Sequence, residues 1–291
     1  MAGIRDIKRR RESIQSTEQI TKAMKLVSTV KLQKAKSRAE NSGPYFKYMY
    51  QAVSHMLRKT GTISHPLLRS GKSNKKAVIV ITSNRGLAGG YNSNVIKLIT
   101  GSNLLKEDVI VYAVGRKGKE VLKRRGYEIR KDYSDVMNAP MFKDAIEIGQ
   151  EVLKAFQNDE VGEIFLAYTE FKNTVTHIPT MIQLLPVDMT NQQEDNSDNE
   201  SASDRLTHMN YEPNTDEALN LIIPKYLNSL IYGALVQSLA SENGARMQAM
   251  DSATNNADDM ISELSLQYNR ARQSSITQEL TEIIAGANAI S

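Results

Sequence analysis

The sequence predicts an α/β fold in which an antiparallel coiled coil of the N- and C-terminal helices carries an inserted, Rossmann-like parallel-sheet domain. Two observations predict the helices: residues 4–42 contain neither glycine nor proline, and residues 225–291 contain no proline and three glycines. Because globular helices average about 11–12 residues, runs of this length at both ends of one chain are rare. A third observation, the alternation of strand and helix patterns between the two runs, predicts the parallel sheet.

The apolar residues of both terminal runs recur at alternating intervals of three and four, which is the spacing of a left-handed coiled coil. In the N-terminal run the positions are Ile20, Ala23, Val27 and Val30, preceded by Ile4, Ile7 and Ile14; in the C-terminal run they are Met247, Met250, Thr254, Ala257, Ile261, Leu264, Tyr268 and Ala271. We therefore predict an antiparallel pair formed by residues 1–60 and 211–291. The pattern leaves one alternative open, two ordinary amphipathic helices on a globular core.

The N-terminal helix is strongly basic, with eleven Lys and Arg and three acidic residues between positions 5 and 38. Such a helix could contact nucleic acid, anionic lipid or an acidic protein surface, and it could equally present a solvated face. Residues 1–40 contain no aromatic side chain on which a base could stack, which disfavours nucleic acid.

Composition excludes several other classes of protein. The chain has no cysteine, so disulfides and thiol chemistry are excluded. We find no run of about 18 apolar residues, so no transmembrane segment is predicted. The first residues lack the apolar stretch and cleavage site of a secretory signal, which predicts a cytoplasm-like compartment.

The middle of the chain alternates between strand and helix patterns. Gly43 and Pro44 are predicted to end the clean part of the first helix, although residues 45–57 could resume it. Apolar, β-branched runs predict strands over 76–82, 109–114 and 164–169 and a last extended segment over 178–187; helices are predicted over 92–99, 117–125 and 143–156. These elements define an inserted domain over 75–190, followed by a flexible polar and acidic insert over 190–210.

No catalytic or cofactor site is predicted. The glycines that follow the first strand, Gly86, Gly89 and Gly90, match neither the dinucleotide fingerprint nor the P-loop, so a tight turn or a partner contact is the better interpretation. The four histidines lack metal-ligand spacing, and no nucleophile elbow is present.

Three stretches together resemble the γ subunit of bacterial F-type ATP synthase. They are the opening AGIRDIKRRRESIQSTEQITKAMKLVSTVKLQKAK, the turn SNRGLAGGYN, in which Ala88 stands where the family often has cysteine, and the C-terminal SENGARM, YNRARQ and ITQELTEI. The resemblance covers nearly the whole chain; only the insert over 190–210 lacks a clear counterpart. It implies a non-catalytic rotor shaft that couples ion flow to ATP synthesis, at the cytoplasmic face of the cell membrane and peripheral to it.

The resemblance also implies partners and contact residues. One copy of the chain would stand within a hexamer of α and β subunits, with the ε subunit and the membrane c-ring beside the inserted domain, and with no nucleic-acid partner. The resemblance implies that the β subunits are contacted by Met24, Lys25, Arg246, Arg272 and Gln273. It implies an apolar bearing at the tip of the C-terminal helix, formed by Leu280, Ile283, Ile284 and Ala287. It also implies that Tyr211 and Glu212 form the foot that meets the c-ring or the ε subunit. The alternative function is a coiled-coil scaffold or adaptor that does not rotate.

Overall fold

The computed structural model describes residues 4–59, 66–187 and 215–290. Two long helices, α1 and α5, bracket a five-stranded sheet and three shorter helices. The elements are α1 (Ile4–Lys59), β1 (Lys76–Ile81), α2 (Tyr91–Thr100), β2 (Val109–Val114), α3 (Arg116–Arg124), β3 (Glu128–Asp132), α4 (Phe142–Gln157), β4 (Glu163–Phe171), β5 (His177–Leu185) and α5 (Thr215–Ile290), with short 3₁₀ turns at Pro66–Leu68, Lys106–Asp108 and Ser134–Asn138.

The chain divides into two compact units. One unit, here called the helix pair, consists of Met1–Val30 and Arg246–Ser291; the other, the α/β unit, is Lys31–Ala245. The predicted boundaries at 60, 75, 190 and 211 follow the expected ends of helices and strands, whereas this division falls inside both long helices. The predicted insert over 190–210 lies outside the described residues.

The sheet of the α/β unit has the strand order β3-β2-β1-β4-β5. Strands β1, β2, β3 and β4 are parallel, with Val78 opposite Val111 on β2 and Phe165 on β4. The predicted parallel sheet is confirmed for these four strands, and the last strand, β5, runs antiparallel to β4. The link between β4 and β5 is too short for the crossover that a parallel pair needs, so a hairpin is the available connection.

Two hydrophobic clusters cover the two faces of this sheet. On one face Ile79, Ile110 and Leu166 pack with the buried residues of α4 and with the first part of α5. On the other face Val80 and Val111 pack with α2 and α3. The near-continuous apolar strands β1 and β2 are therefore buried on both sides, as expected of central parallel strands.

Helix α1 continues through Pro44, so the alternative in which residues 45–57 resume the helix is the correct one, and α5 contains Pro224 within the predicted range 211–291. Each helix has enough hydrogen bonds on either side of its proline to tolerate one lost donor. Strand β3 was missed because its sequence EIRKD is charged and lies at an edge of the sheet, where alternate side chains face solvent.

Part of α5 is apolar and long enough to pass a composition test for a membrane span, within Ala218–Asn288. Within the chain 56% of this apolar part is buried. Its apolar residues follow a helical spacing and pack against the sheet, which is what the core helix of an α/β unit requires; they include Leu219, Ile223, Leu227, Ile231 and Leu235.

Candidate functional site

The helix pair is antiparallel, as the contacts between its two helices show. Arg11 lies over the ring of Tyr268, Thr21 meets Thr254 and Lys25 meets Asp251, so positions rise along α1 as they fall along α5. The C-terminal half of the predicted seam is confirmed: it is buried at Met250, Thr254, Ala257 and Leu264 and half-buried at Met247, Ile261, Tyr268 and Ala271.

The α1 half of the predicted seam is only partly correct. Ile4, Ile7 and Ile14 are half-buried, as expected. The other four predicted positions are exposed, with Ile20 at 57%, Val27 at 55% and Val30 at 68%, together with Ala23. The inward face instead carries the polar residues Glu18, Thr21, Lys25 and Ser28, which share the same three-and-four spacing.

Polar groups on the inward face are satisfied within the helix pair. The hydroxyls of Thr21 and Thr254 are 2.8 Å apart and share a hydrogen bond, and the Thr254 hydroxyl also lies 2.8 Å from the carbonyl oxygen of Met250. The Lys25 ammonium donates to the Asp251 carboxylate over 2.5 Å. Sequence reasoning missed Thr21 and Asp251 as seam residues because it counted apolar side chains only; the spacing of small polar residues was the available signal.

The predicted β-subunit contacts occupy different environments. Arg272 and Gln273 are exposed on α5, and Met24 and Lys25 are half-buried on α1. Lys25 is already paired with Asp251, so its charge is largely neutralised within the chain.

Arg246 differs from the other predicted contacts. It is only 9% exposed, so most of its side chain is packed inside this chain. Little of the Arg246 surface is left for a partner.

The predicted tip of α5 is open to solvent. Leu280 is 55% exposed, Ile283 68% and Ile284 59%, and Ala287 is exposed as well. These residues form a run of large apolar side chains on the last turns of a helix, which is unusual for a surface that contacts only water. Tyr211 and Glu212, the predicted foot, lie outside the described residues.

The glycine-containing turn after β1 is held by its own side chains. Ser83 donates its backbone N–H to the Asn92 side-chain oxygen at 2.9 Å and its hydroxyl to the Arg85 carbonyl at 2.6 Å. The Asn84 side chain donates to the Ser134 carbonyl at 2.7 Å and accepts from the Arg116 N–H at 3.0 Å.

Open α/β sheets bind ligands at their carboxyl edge, and here α5 of the same unit contacts β4 near that edge. Ser238 accepts a hydrogen bond from the Tyr91 hydroxyl at its carbonyl and from the Thr169 N–H at its own hydroxyl. The Ser241 hydroxyl donates to the Thr169 carbonyl at 3.3 Å. Within the described ranges 4–59, 66–187 and 215–290, no group of three acidic or histidine side chains is arranged to hold a metal ion.

Comparison with known proteins gives consistent matches along the full chain. A family model described as ATP synthase matches residues 3–290. The ATP synthase gamma chain of Lachnoclostridium phytofermentans is 76% identical over 290 residues, covering 100% of both chains. The sodium-ion-specific ATP synthase gamma chain of Acetobacterium woodii is 40% identical over 297 residues, covering 99% of this chain and 98% of the relative.

Solved structures share the fold. A chain of the Euglena gracilis mitochondrial ATP synthase, in a structure of OSCP, F1 and c-ring, gives a TM-score of 0.69 at 18% identity, covering 99% of this chain and 94% of that one. A chain of the Tetrahymena thermophila central stalk and c-ring gives 0.58 at 24% identity, covering 80% and 99%.

An antiparallel helix pair made from the two ends of one chain, with the sequence of an α/β unit between them, defines the class of fold that the solved ATP synthase chains share. The chain belongs to the gamma-chain family of the F-type ATP synthases. It is therefore a component of the ATP synthase complex.

Proposed function

We propose that this chain is the central-stalk rotor of a bacterial F-type ATP synthase. It couples ion flow through a membrane c-ring to successive conformational changes of the catalytic β subunits, and hence to ATP synthesis or, in reverse, to ion pumping. The observation that carries the proposal is the antiparallel helix pair, with its exposed apolar tip, in a chain that is 76% identical over its whole length to an ATP synthase gamma chain.

The proposed partners are the hexamer of α and β subunits, the ε subunit and the c-ring, with one copy of this chain per complex. The chain itself contributes no catalytic residue, and ATP chemistry belongs to the β subunits. The complex is membrane-associated, and we place this chain at the cytoplasmic face as a peripheral subunit. The solved relatives include a central stalk joined to a c-ring, which supports this arrangement.

The free energies of single contacts limit how such a rotor can act on its partners. To change the preference of a β subunit between two states by about 10⁴-fold takes roughly 5.5 kcal/mol. One exposed ion pair contributes about 0–1 kcal/mol. The coupling must therefore be distributed over the shape of the helix pair and many weak contacts, which include Arg272, Gln273, Met24 and the apolar tip.

The proposal is tested by recovering the tagged chain from gently solubilised membranes of its host. We expect Mg-dependent ATPase activity and two larger subunits in excess over this chain. Recovery with unrelated partners and no ATPase activity, from a host whose synthase is shown to be intact, would favour the scaffold or adaptor function instead.

A further inference from the structure

The end of the β4–β5 hairpin holds a histidine that the proposed rotor function does not use. His177 is the first residue of β5, and it pairs with Phe171, the last residue of β4, in the final pair before the turn. Both ring nitrogens are buried, and among the residues that the structure describes neither has a hydrogen-bond partner. A neutral imidazole carries one donor and one acceptor, so both are left unsatisfied at this position.

The His177 ring is enclosed by the hairpin and by α5. On the hairpin side it faces the ring of Phe171. On the α5 side it lies against Gly244, where a Cβ atom would come within 2.6 Å of the ring and 3.7 Å of the Thr174 carbonyl oxygen. The ring, the turn and the helix backbone therefore meet at one close contact inside the α/β unit.

A second contact ties the hairpin to α5 further from the turn. The Ser238 hydroxyl accepts a hydrogen bond from the Thr169 N–H, and the Ser241 hydroxyl donates to the Thr169 carbonyl, both at 3.3 Å. The turn beyond this contact, residues 172–176, is exposed. The end of the hairpin can therefore leave α5 by breaking the pair at His177, while the hydrogen bonds at Thr169 keep the remainder of β4 in place.

Neighbouring charges do not compensate a proton on His177. The charged side chains of the described elements around the ring are Glu170 and Lys172 on the hairpin, Lys97 on α2, and Glu242 and Arg246 on α5. Two residues correspond to about 200° around a helix, so Glu242 and Arg246 lie on the opposite side of α5 from Gly244. Burial lowers the pKa of His177 below its ordinary value of 6.5, and the backbone of Thr174 offsets only part of this effect.

We propose that His177 is a proton-operated latch, which fixes the end of the β4–β5 hairpin to α5 while its ring is neutral and releases it when the ring is protonated. An imidazolium has two donors and a full charge. Inside the closed contact that charge has no acidic partner among the described residues, whereas outside it water satisfies both donors. The latch belongs to the α/β unit alone and does not depend on the proposed function.

The test follows hydrogen exchange in the full-length chain at pH 7 and pH 5, with rates corrected for the intrinsic effect of pH. Peptides that cover residues 166–185 report on the hairpin, and peptides that cover β1 and β2 are the internal reference. Two variants change the latch: His177→Gln removes the titrating group, and Gly244→Ala places a Cβ atom where the ring lies. Lys172→Gln, an exposed substitution beside the same turn, is the matched control.

We expect the hairpin of wild type and of Lys172→Gln to open more often as the pH falls below about 6.5, by at most about tenfold per pH unit, because one proton is bound. The reference strands should keep their protection. In His177→Gln the opening should be independent of pH. In Gly244→Ala the hairpin should be open at both pH values, because the ring cannot return to its place.

Three results would overturn the inference. The same pH dependence in wild type and in His177→Gln would show that no proton on His177 operates the hairpin. An equal loss of protection in the hairpin and in the reference strands would show that acid weakens the whole α/β unit. An imidazole NMR titration of His177 with its ordinary pKa in the folded chain would show that the ring is not enclosed. None of these results bears on the rotor function, which recovery of the tagged chain with its partners tests separately.

Discussion

At the scale of single residues, His177 of the β4–β5 hairpin packs against α5 at Gly244. A Cβ atom at Gly244 would lie 2.6 Å from the imidazole Cε1, so only glycine allows this approach. The ring also faces Phe171, with centroids 5.9 Å apart. Burial lowers the pKa of His177 below its ordinary value of 6.5, and an interaction with the backbone of Thr174 offsets part of this effect.

This burial predicts a pH dependence of stability. Because the folded state disfavours the protonated imidazole, the contribution of His177 to stability is fully present above about pH 6.5 and declines as the pH falls towards the lowered pKa. We expect the midpoint of urea unfolding to fall more between pH 7 and pH 5 in wild type than in His177→Gln. Equal pH slopes for the two proteins would contradict this account.

The ion pair between Lys25 and Asp251 is short but exposed. Its atoms are 2.5 Å apart, and the two side chains are 41% and 47% exposed. Solvent screens such a pair, so we expect a coupling of less than about 1 kcal/mol. A double-mutant cycle with Lys25→Ala and Asp251→Ala, read by urea unfolding at low and high salt, measures it directly. A coupling energy above about 2 kcal/mol that salt does not change would contradict this expectation and show that the ion pair is a major source of stability in the helix pair.

At the scale of elements, the long helices form despite internal prolines. Pro44 lies inside α1 and is exposed, and a proline in a helix interior costs about 3 kcal/mol through its missing donor and its ring. We expect Pro44→Ala to raise the free energy of unfolding by roughly 1–3 kcal/mol. Pro140→Ala, outside the helices, should give no such gain. Unchanged stability in Pro44→Ala would mean that the proline strain is already relieved locally.

The elements also show what sequence could and could not predict. Strands β1 and β2 were predicted within one residue because continuous β-branched runs have few alternatives. The edge strand β3 lacks that signal. The α5 seam was predicted because its apolar residues face inward, whereas Ile20, Val27 and Val30 of α1 are exposed and the polar residues Thr21 and Ser28 face the seam. Periodicity gives the spacing of a helix face but does not say which partner covers it.

At the scale of the whole molecule, the polar seam and the exposed apolar surfaces suit a subunit that must contact partners without locking to them. The seam of the helix pair mixes small side chains such as Thr21, Thr254 and Ala257 with Met250 and Leu264, and it carries an exposed ion pair between Lys25 and Asp251. Other large apolar side chains are exposed, among them Val27 and Val30 on α1 and Ile283 at the tip of α5. Identification of the family came from the pattern of motifs over the full length, since no single site of the molecule specifies its activity.

The distribution of contacts leads to a prediction for Arg272. An ion pair made by its exposed guanidinium contributes about 0–1 kcal/mol. Changing the preference of a β subunit between two states by about 10⁴-fold takes roughly 5.5 kcal/mol. In the assembled complex we therefore expect Arg272→Ala to lower coupled ATP synthesis while ATP-driven rotation persists, and Arg270→Ala, also exposed on α5, to serve as the comparison. Reconstituted vesicles measure synthesis, and single-molecule observation measures rotation. If rotation stopped in a fully assembled Arg272→Ala complex, one arginine would carry the coupling, and the energy would be concentrated at a single contact instead of being spread along the helix pair.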